Sequence, residues 1–418
     1  MRPRRCLLIA PPHSYRIAAY LAAADRLGVE LLVASDGEHS LIPQVAGGLR
    51  IPFDAPERAL RIVREDASRR PIDAVLATDD STVELASRAA AALGLAHNSP
   101  DAARIARRKD LARARLAEAG VPVPAFRRLD LEGDLRAQSS ALHFPCVLKP
   151  LAMSASRGVM RIDNQGELIT GCHRLARIVA DQRTPEERRF VLAEDFIAGR
   201  EVAVEGLLDD DLLNVLAVFD KPDPLDGPYF EETYYVTPSR LSGATLARVR
   251  RRVAQACAAY GLHNGPVHAE VRISAQEAWV VELAARTIGG DCARLLRFGA
   301  GEGLEELVLR QALGLAIESR TLRDAAGVLM LPIPAAGTLR RVEGVMAARA
   351  VPGIEDVVIA VREGYELLPL PEGGSYLGFV FARAATPEEV EAALRAADAR
   401  INVVVAPMWR LRPAGAAS

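Results

Sequence analysis

Three short apolar runs, each tied to a stretch of helical character, constrain the start of this chain more than any other feature. CLLIA at Cys6–Ala10 is followed by helical periodicity from Tyr15 to Leu27. VELLVAS occupies Val29–Ser35, and DAVLATDD at Asp73–Asp80 leads into the alanine-rich STVELASRAAAALG. Apolar runs without alternation mark strands buried on both faces. Alternation of such strands with helices implies a parallel sheet covered on both sides. Residues 1–100, ending at HNSP, are therefore expected to form a small doubly wound α/β domain.

At 418 residues the chain has room for two to four domains. Half of its residues are hydrophobic and a quarter charged, as in a globular protein and unlike a disordered one. A formal net charge of −2 gives no electrostatic reason to expect nucleic acid, and the cluster Arg250–Arg252 reads as a solvated helix face. Cys6, Cys146, Cys172, Cys257 and Cys292 are scattered, with no CxxC spacing. A reduced, cytoplasmic chain without disulfides or structural zinc is expected. The basic start leads into an apolar run too short for a signal segment, and no later run is long enough to span a membrane.

After Pro100 the pattern changes. Ala103–Gly120 reads as one helix with a glycine stop, and GVPVPAF as an extended exit. A helix is expected near Glu167–Ala180, antiparallel hairpins over Val191–Lys221, and a helix over Ala244–Tyr260 before two strands, VHAEVRIS and EAWVVELAAR. From Asp324 onward strands, turns and a helix over Pro387–Ala399 suggest a compact α+β closing unit.

Several residues break these patterns. Lys149 ends the buried-looking run PCVLK, where an unpaired ammonium would be costly. The small-sided loop MSASRG that follows offers backbone N–H groups and hydroxyls without bulk, which favours a phosphate cradle over an ordinary surface turn. Glu270 and Glu282 each interrupt an apolar strand and could project from one sheet face. Paired carboxylates of this kind suit Mg²⁺, although two strand-edge glutamates in water would show the same pattern. Arg286 follows four residues later, before Gly289 and Gly290, where an arginine could clamp oxyanions and backbone could approach a ligand. In AEDFIAGREVAVEG, a turn at Asp195–Ile197 could meet an adenine edge while Glu201 accepts from ribose hydroxyls; read alone, it is a polar hairpin.

The succession of Lys109, Lys149 with its loop, EDFIAGRE, HAEVRI and VVELAARTIGGD resembles the ATP-grasp superfamily over about residues 100–300. The stretch from GVLMLPIPAAGTLRRVEGV through GGSYLGFVFARAATPEEVEAAL is similar to the C-terminal domain of carboxylate–amine ligases of the L-amino-acid ligase type. The resemblance implies an ATP-grasp fold of α/β and α+β domains: an N-terminal Rossmann-like domain (1–100), a small subdomain with the phosphate loop (101–190), a core with the metal site (191–320) and a C-terminal α+β domain (321–418). It implies Lys109 and Lys149 on ATP phosphates, beneath a mobile loop bearing Ser154, Ser156 and Gly158. Glu194, Phe196 and Ile197 would frame adenine and Glu201 the ribose. Glu270 and Glu282 would hold Mg²⁺ or Mn²⁺. Arg286 would act with Lys149 in catalysis, and Arg286, Gly289 and Gly290 would face substrate, with His268 either beside them or simply a core histidine.

Two departures from the resemblance stand out. Many relatives carry asparagine two residues after the second metal glutamate, where this chain has Ala284. Many also show a Glu-Thr-Gly-His turn where this chain reads EETYYVTP, with Tyr234 and Tyr235 replacing glycine and histidine. The implied activity is amide or peptide bond formation through an acylphosphate, joining a small carboxylate and an amine, amino acids among them. The alternatives are a ligase for a non-amino-acid carboxylate and a nucleotide-binding module without chemistry. Neither nucleic acid nor membrane is an expected partner, and a homodimer is the default for a soluble enzyme.

Overall fold

The computed structural model of the chain describes residues 2–407 except 13, 38–47 and 276. Its first sheet is parallel throughout, in the order Gly48–Arg50, Glu30–Ser35, Arg5–Ile9, Ala74–Ala77. Leu7 and Ile9 point to one face, packed with Leu60 and Val63 of the helix Pro56–Arg69 and with Ala86 and Ala89 of Val83–Ala92. Cys6 and Leu8 point to the other, against Tyr20 of the helix Arg16–Leu27 and a core shared with Leu307 and Val308. The unalternating apolar strands are therefore buried on both sides, as a parallel sheet requires.

The expected single helix over Ala103–Gly120 is two helices, Pro100–Arg107 and Lys109–Glu118. Arg108 between them is extended (φ −101°, ψ 106°) and forks onto Asp110 at 2.8 and 3.0 Å. Tertiary contacts override the local helical periodicity here, because the Lys109 N–H leaves the helix to donate to Leu151 O at 2.8 Å. That break turns Lys109 toward the strand Cys146–Pro150.

A second, antiparallel sheet has the order Phe126–Asp130, Phe190–Asp195, Cys146–Pro150, Met160–Ile162, with the helix Gln165–Ile178 on one face. Phe190–Asp195 thus lies in this sheet and not in a hairpin with Arg200–Asp209. The latter pairs with Leu212–Lys221 across a turn in which Asp210 and Asp211 both have positive φ.

The largest sheet has eight antiparallel strands in the order Ala278–Ala284, Gly265–Ile273, Arg200–Asp209, Leu212–Lys221, Tyr234–Thr237, Ala325–Leu331, Gly378–Ala384, Ile354–Ile359. It runs across the boundary expected at 320/321, so three strands of the closing unit extend the central sheet. Its two faces are apolar in different ways. Val202, Val218 and Val267 pack on the helix Gly243–Tyr260, while Phe219, Tyr235 and Val328 pack toward the N-terminal domain. Complete burial of a side chain such as Phe219 is worth about 2 kcal/mol. The helix Pro387–Asp398, opened by a Thr386/Glu389 capping box, covers the far end of the sheet, and a three-stranded sheet of Glu366–Leu367, Gly337–Glu343 and Asn402–Ala406 lies beyond it. Among the described residues no helix is long and apolar enough to cross a membrane, and all five cysteines are free and buried.

Candidate active site

A cavity of about 1260 Å³ opens where the three larger sheets meet. One end of it is cationic. Lys149 Nζ, at the end of its strand, contacts the buried carboxylate of Glu194, to which Arg113 also donates through Nε (2.8 Å) and Nη2 (3.2 Å). Burial by itself would raise the Glu194 carboxyl; Arg113 and then Lys149 outweigh it and hold it down to about 2. Two cations share one carboxylate, and burial lowers the Lys149 pKa despite its partner. An anionic ligand would restore the balance. Lys109 Nζ lies 3.2 Å from Glu282 and donates to Met153 O at 2.6 Å.

Above these lysines runs the loop 152–158. Ser154 and Ser156 line the cavity, and Ala155 and Ser156 adopt left-handed backbone (φ 56° and 52°). Gly158, expected at the phosphates, is not among the lining residues. Its N–H donates to Pro371 O at 2.9 Å, and a Cβ there would meet Leu175 at 2.7 Å, so close packing explains the glycine. Arg157 Nε donates to Glu372 O at 2.8 Å, and Arg174 grips the Glu372 carboxylate at 2.5 and 2.8 Å. The loop is thereby latched to the C-terminal segment 368–376.

The turn expected to frame adenine is only partly available. Ile197 and Asp195 line the cavity, whereas Phe196 does not. The Phe196 N–H already donates to Pro145 O, and its ring lies between the guanidinium groups of Arg161 and Arg272. Ile197 O accepts from Arg272 at 2.6 Å. Glu194 reaches the cavity only with its carboxylate committed to Arg113 and Lys149.

The other end is acidic. Lys221 Nζ sits among three carboxylates: Glu201 at 2.6 Å, Glu232 in direct contact and Glu270 at 3.8 Å. Glu201, expected on a ribose, is thus held by Lys221 and by Arg272 at 3.1 Å. One oxygen from each of Glu201, Glu232 and Glu270 falls within 4.8 Å of the others, a set able to hold a metal ion. Glu282 stands outside that set. It is the direct cross-strand partner of Glu270, on the same sheet face, but is turned to Lys109. Burial and then Glu232 push the Glu270 carboxyl well above its ordinary value, against the pull of Lys221. A divalent cation would relieve this crowding, so the donor set fits Mg²⁺.

At the third wall Arg286 is paired with Asp80 of the N-terminal domain at 2.8 Å, and Arg16 with Asp79 at 3.0 Å. Burial lowers the His268 pKa, as do Arg286 and Lys221, so the ring is neutral; its Nδ1 lies 3.2 Å from the wholly buried Glu205, which also accepts from the Ile288 N–H. Gly289 and Gly290 line the cavity, with Gly290 in a left-handed conformation (φ 59°) directly above Met330. Of the two tyrosines that replace the expected Gly-His, Tyr235 faces the cavity and Tyr234 faces away, its hydroxyl donating to Asp398 at 2.8 Å. Ala284 is buried and offers no ligand atom.

Sequence reasoning missed Lys221, Glu232, Arg113, Glu205 and the Asp79–Asp80 pair. Lys221 carries the same signal as Lys149, a lysine ending the apolar run NVLAVFDK. Arg113 looks like any solvated helical arginine, and Glu232 interrupts no apolar run.

Three family models match stretches of the chain. Residues 21–97 match the ATP-grasp N-terminal domain, 142–294 the ATP-grasp domain and 329–406 the L-amino acid ligase C-terminal domain 2. The crystal structure of an L-amino acid ligase from Bacillus licheniformis superposes with a TM-score of 0.83 at 25% identity, covering 97% of this chain and 100% of that one. An alanine–anticapsin ligase of Bacillus subtilis is 25% identical over 57% of this chain and 53% of its own length. An uncharacterised protein of Sinorhizobium fredii is 26% identical over 70% and 60%. The chain thus spans a little over half the length of these curated relatives. The chain thus carries, in order, stretches that match an ATP-grasp N-terminal domain, an ATP-grasp domain and an L-amino acid ligase C-terminal domain, within a fold like that of an L-amino acid ligase.

Proposed function

We propose that the protein is an ATP-dependent carboxylate–amine ligase that forms an amide or peptide bond between small molecules. The observation that carries this reading is the opposition of charge within one cavity. Cations in excess of carboxylate surround Lys149, while carboxylates in excess of cation surround Lys221. Nucleotide phosphates suit the first end and a divalent cation the second. Mg²⁺, held by Glu201, Glu232 and Glu270 with Glu282 beside them, would supply charge neutralisation to the phosphates.

In the reaction, a carboxylate oxygen forms a bond to the γ-phosphorus as the bond to the departing ADP oxygen breaks. The products of this step are an acylphosphate and ADP. The amine nitrogen then bonds to the acyl carbon, the acyl–phosphate C–O bond breaks, and inorganic phosphate and the amine proton leave. Lys109 and Lys149 bind and orient the phosphates, and Lys221 neutralises charge that develops on the transferred group. Arg286, fixed by Asp80, orients the attacking carboxylate. The latched loop excludes water, which would otherwise hydrolyse the acylphosphate. A panel of carboxylates and amines, read by ATP-dependent phosphate release and by mass spectrometry of the coupled product, tests the reading. Phosphate release that requires both substrates supports it; release with neither or with one alone, and no coupled product, refutes it.

A further inference from the structure

The face of the eight-stranded sheet that floors the cavity changes character halfway across. Its first half holds the charged residues: Lys221, Glu201 and Arg272 stand in register across three strands, with Glu270 opposite Glu282 beside them. The second half carries an apolar row. Met330 pairs with Phe379, and Phe379 with Val358, so the three side chains stand in line on one face of adjacent strands. All three line the cavity, as do Tyr376 and Leu368 from the segment to which the loop is latched. The three residues of the row offer no hydrogen-bonding side chain.

Met330 is buried beneath the Gly289–Gly290 turn, and the part of the row open to a ligand is Phe379 and Val358. Leu368 is 42% exposed, one of few large hydrophobic side chains so exposed among the described residues, and Phe379 and Val358 are only partly buried. The Gly289–Gly290 turn leads from Arg286 to the row: any Cβ at Gly290 would fall on Met330 Sδ. A group held at Arg286 would therefore find side-chain space beyond Met330, over Phe379 and Val358.

We infer that Met330, Phe379 and Val358, flanked by Tyr376 and Leu368, form the side-chain pocket that sets specificity, and that one of the two substrates is an amino acid with a large apolar side chain, leucine- or phenylalanine-like. The inference rests on the ligase reading and names the substrate class for that site. Apolar burial favours such a side chain, while a charged one would lose water and find no partner on the row.

The test measures binding and turnover separately. Calorimetry on the full chain, with Mg²⁺ and a non-hydrolysable ATP analogue, compares L-leucine and L-phenylalanine with L-alanine, L-glutamate and L-lysine. Phosphate release is then measured for pairs of the same amino acids. Leucine and phenylalanine are expected to bind at least about tenfold tighter than the other three. Val358→Trp, which fills the pocket, should lower the phenylalanine-to-alanine affinity ratio about tenfold, and Phe379→Ala, which enlarges it, should change that ratio as well. Circular dichroism checks the fold of each variant. The inference is overturned if glutamate or lysine binds as well as leucine, if no amino acid binds, or if the ratio stays fixed in every variant that folds. Apolar-selective binding without phosphate release from any pair would leave the pocket standing and sink the ligase reading instead.

Discussion

Glu194 and Lys221 are both buried charges, but they answer to opposite surroundings. Glu194 stands between two cations, and its carboxyl is held down to about 2 from an ordinary value near 4.5. Such a group contributes stability that is fully present above about pH 4.5 and is lost as the pH falls toward 2. Glu194→Gln should therefore destabilise the protein by about 3 kcal/mol at pH 7, the usual cost of breaking a buried pair, and by clearly less at pH 3. Denaturant unfolding of both proteins at the two pH values checks this, and a gap that does not narrow on acidification would contradict it. Lys221 is the reverse case, one ammonium among three carboxylates. Lys221→Met should leave Glu201, Glu232 and Glu270 short of a cation, so that Mg²⁺ raises the melting temperature of the variant by several degrees more than that of the wild type. A melting temperature that Mg²⁺ leaves unchanged in both proteins would remove the triad as a metal site.

At the level of elements, short irregular pieces position what the regular ones supply. The one-residue break at Arg108 starts a new helix at Lys109, whose N–H donates to Leu151 O just beyond the strand that bears Lys149. The loop 152–158 is held by Glu372, whose carboxylate Arg174 grips and whose carbonyl Arg157 uses. Removing that anchor should free the loop. Glu372→Ala is expected to speed tryptic cleavage after Arg157 several-fold in the nucleotide-free protein, and MgATP should slow cleavage in both forms. Peptide mapping of a timed digest reads both effects, and an unchanged rate in the variant would mean that the latch does not hold the loop.

On the scale of the whole molecule, the site is an interface between three domains. The N-terminal domain brings Asp79 and Asp80, the small sheet brings Lys149, and the long sheet brings the acidic residues and, further along, the apolar row. Arg286 bridges two of these domains through Asp80, which burial would raise but Arg286 holds below the ordinary range. On the proposed reading, Lys109 and Lys149 would still serve nucleotide binding without it. Arg286→Met should accordingly cut turnover by about a hundredfold or more while changing ATP affinity less than about tenfold. Calorimetry and phosphate release on one preparation separate the two, and a collapse of affinity with unchanged turnover at saturating ATP would make Arg286 a binding residue only.

Much of this architecture was legible along the chain, because burial on both faces leaves a local trace. The unalternating strands of the first domain, the late helix from Pro387, and the lysine and glutamates that interrupt apolar runs all violate or obey a short-range pattern. Lys149, Glu270 and Glu282 were visible for that reason. What the tertiary structure alone decided is which charges meet. Arg113 becomes a partner of Glu194, Glu201 pairs with Lys221 and Arg272, and Glu282 pairs with Lys109 and stands outside the Glu201–Glu232–Glu270 cluster. It also decided that Gly158 packs against Leu175, and that the strands after residue 324 extend the central sheet, carrying Phe379 and Val358 to the cavity. Electrostatic pairing acts over a few ångströms in space at any separation along the chain. Residues as distant in sequence as Asp80 and Arg286 find each other only once the sheets have packed.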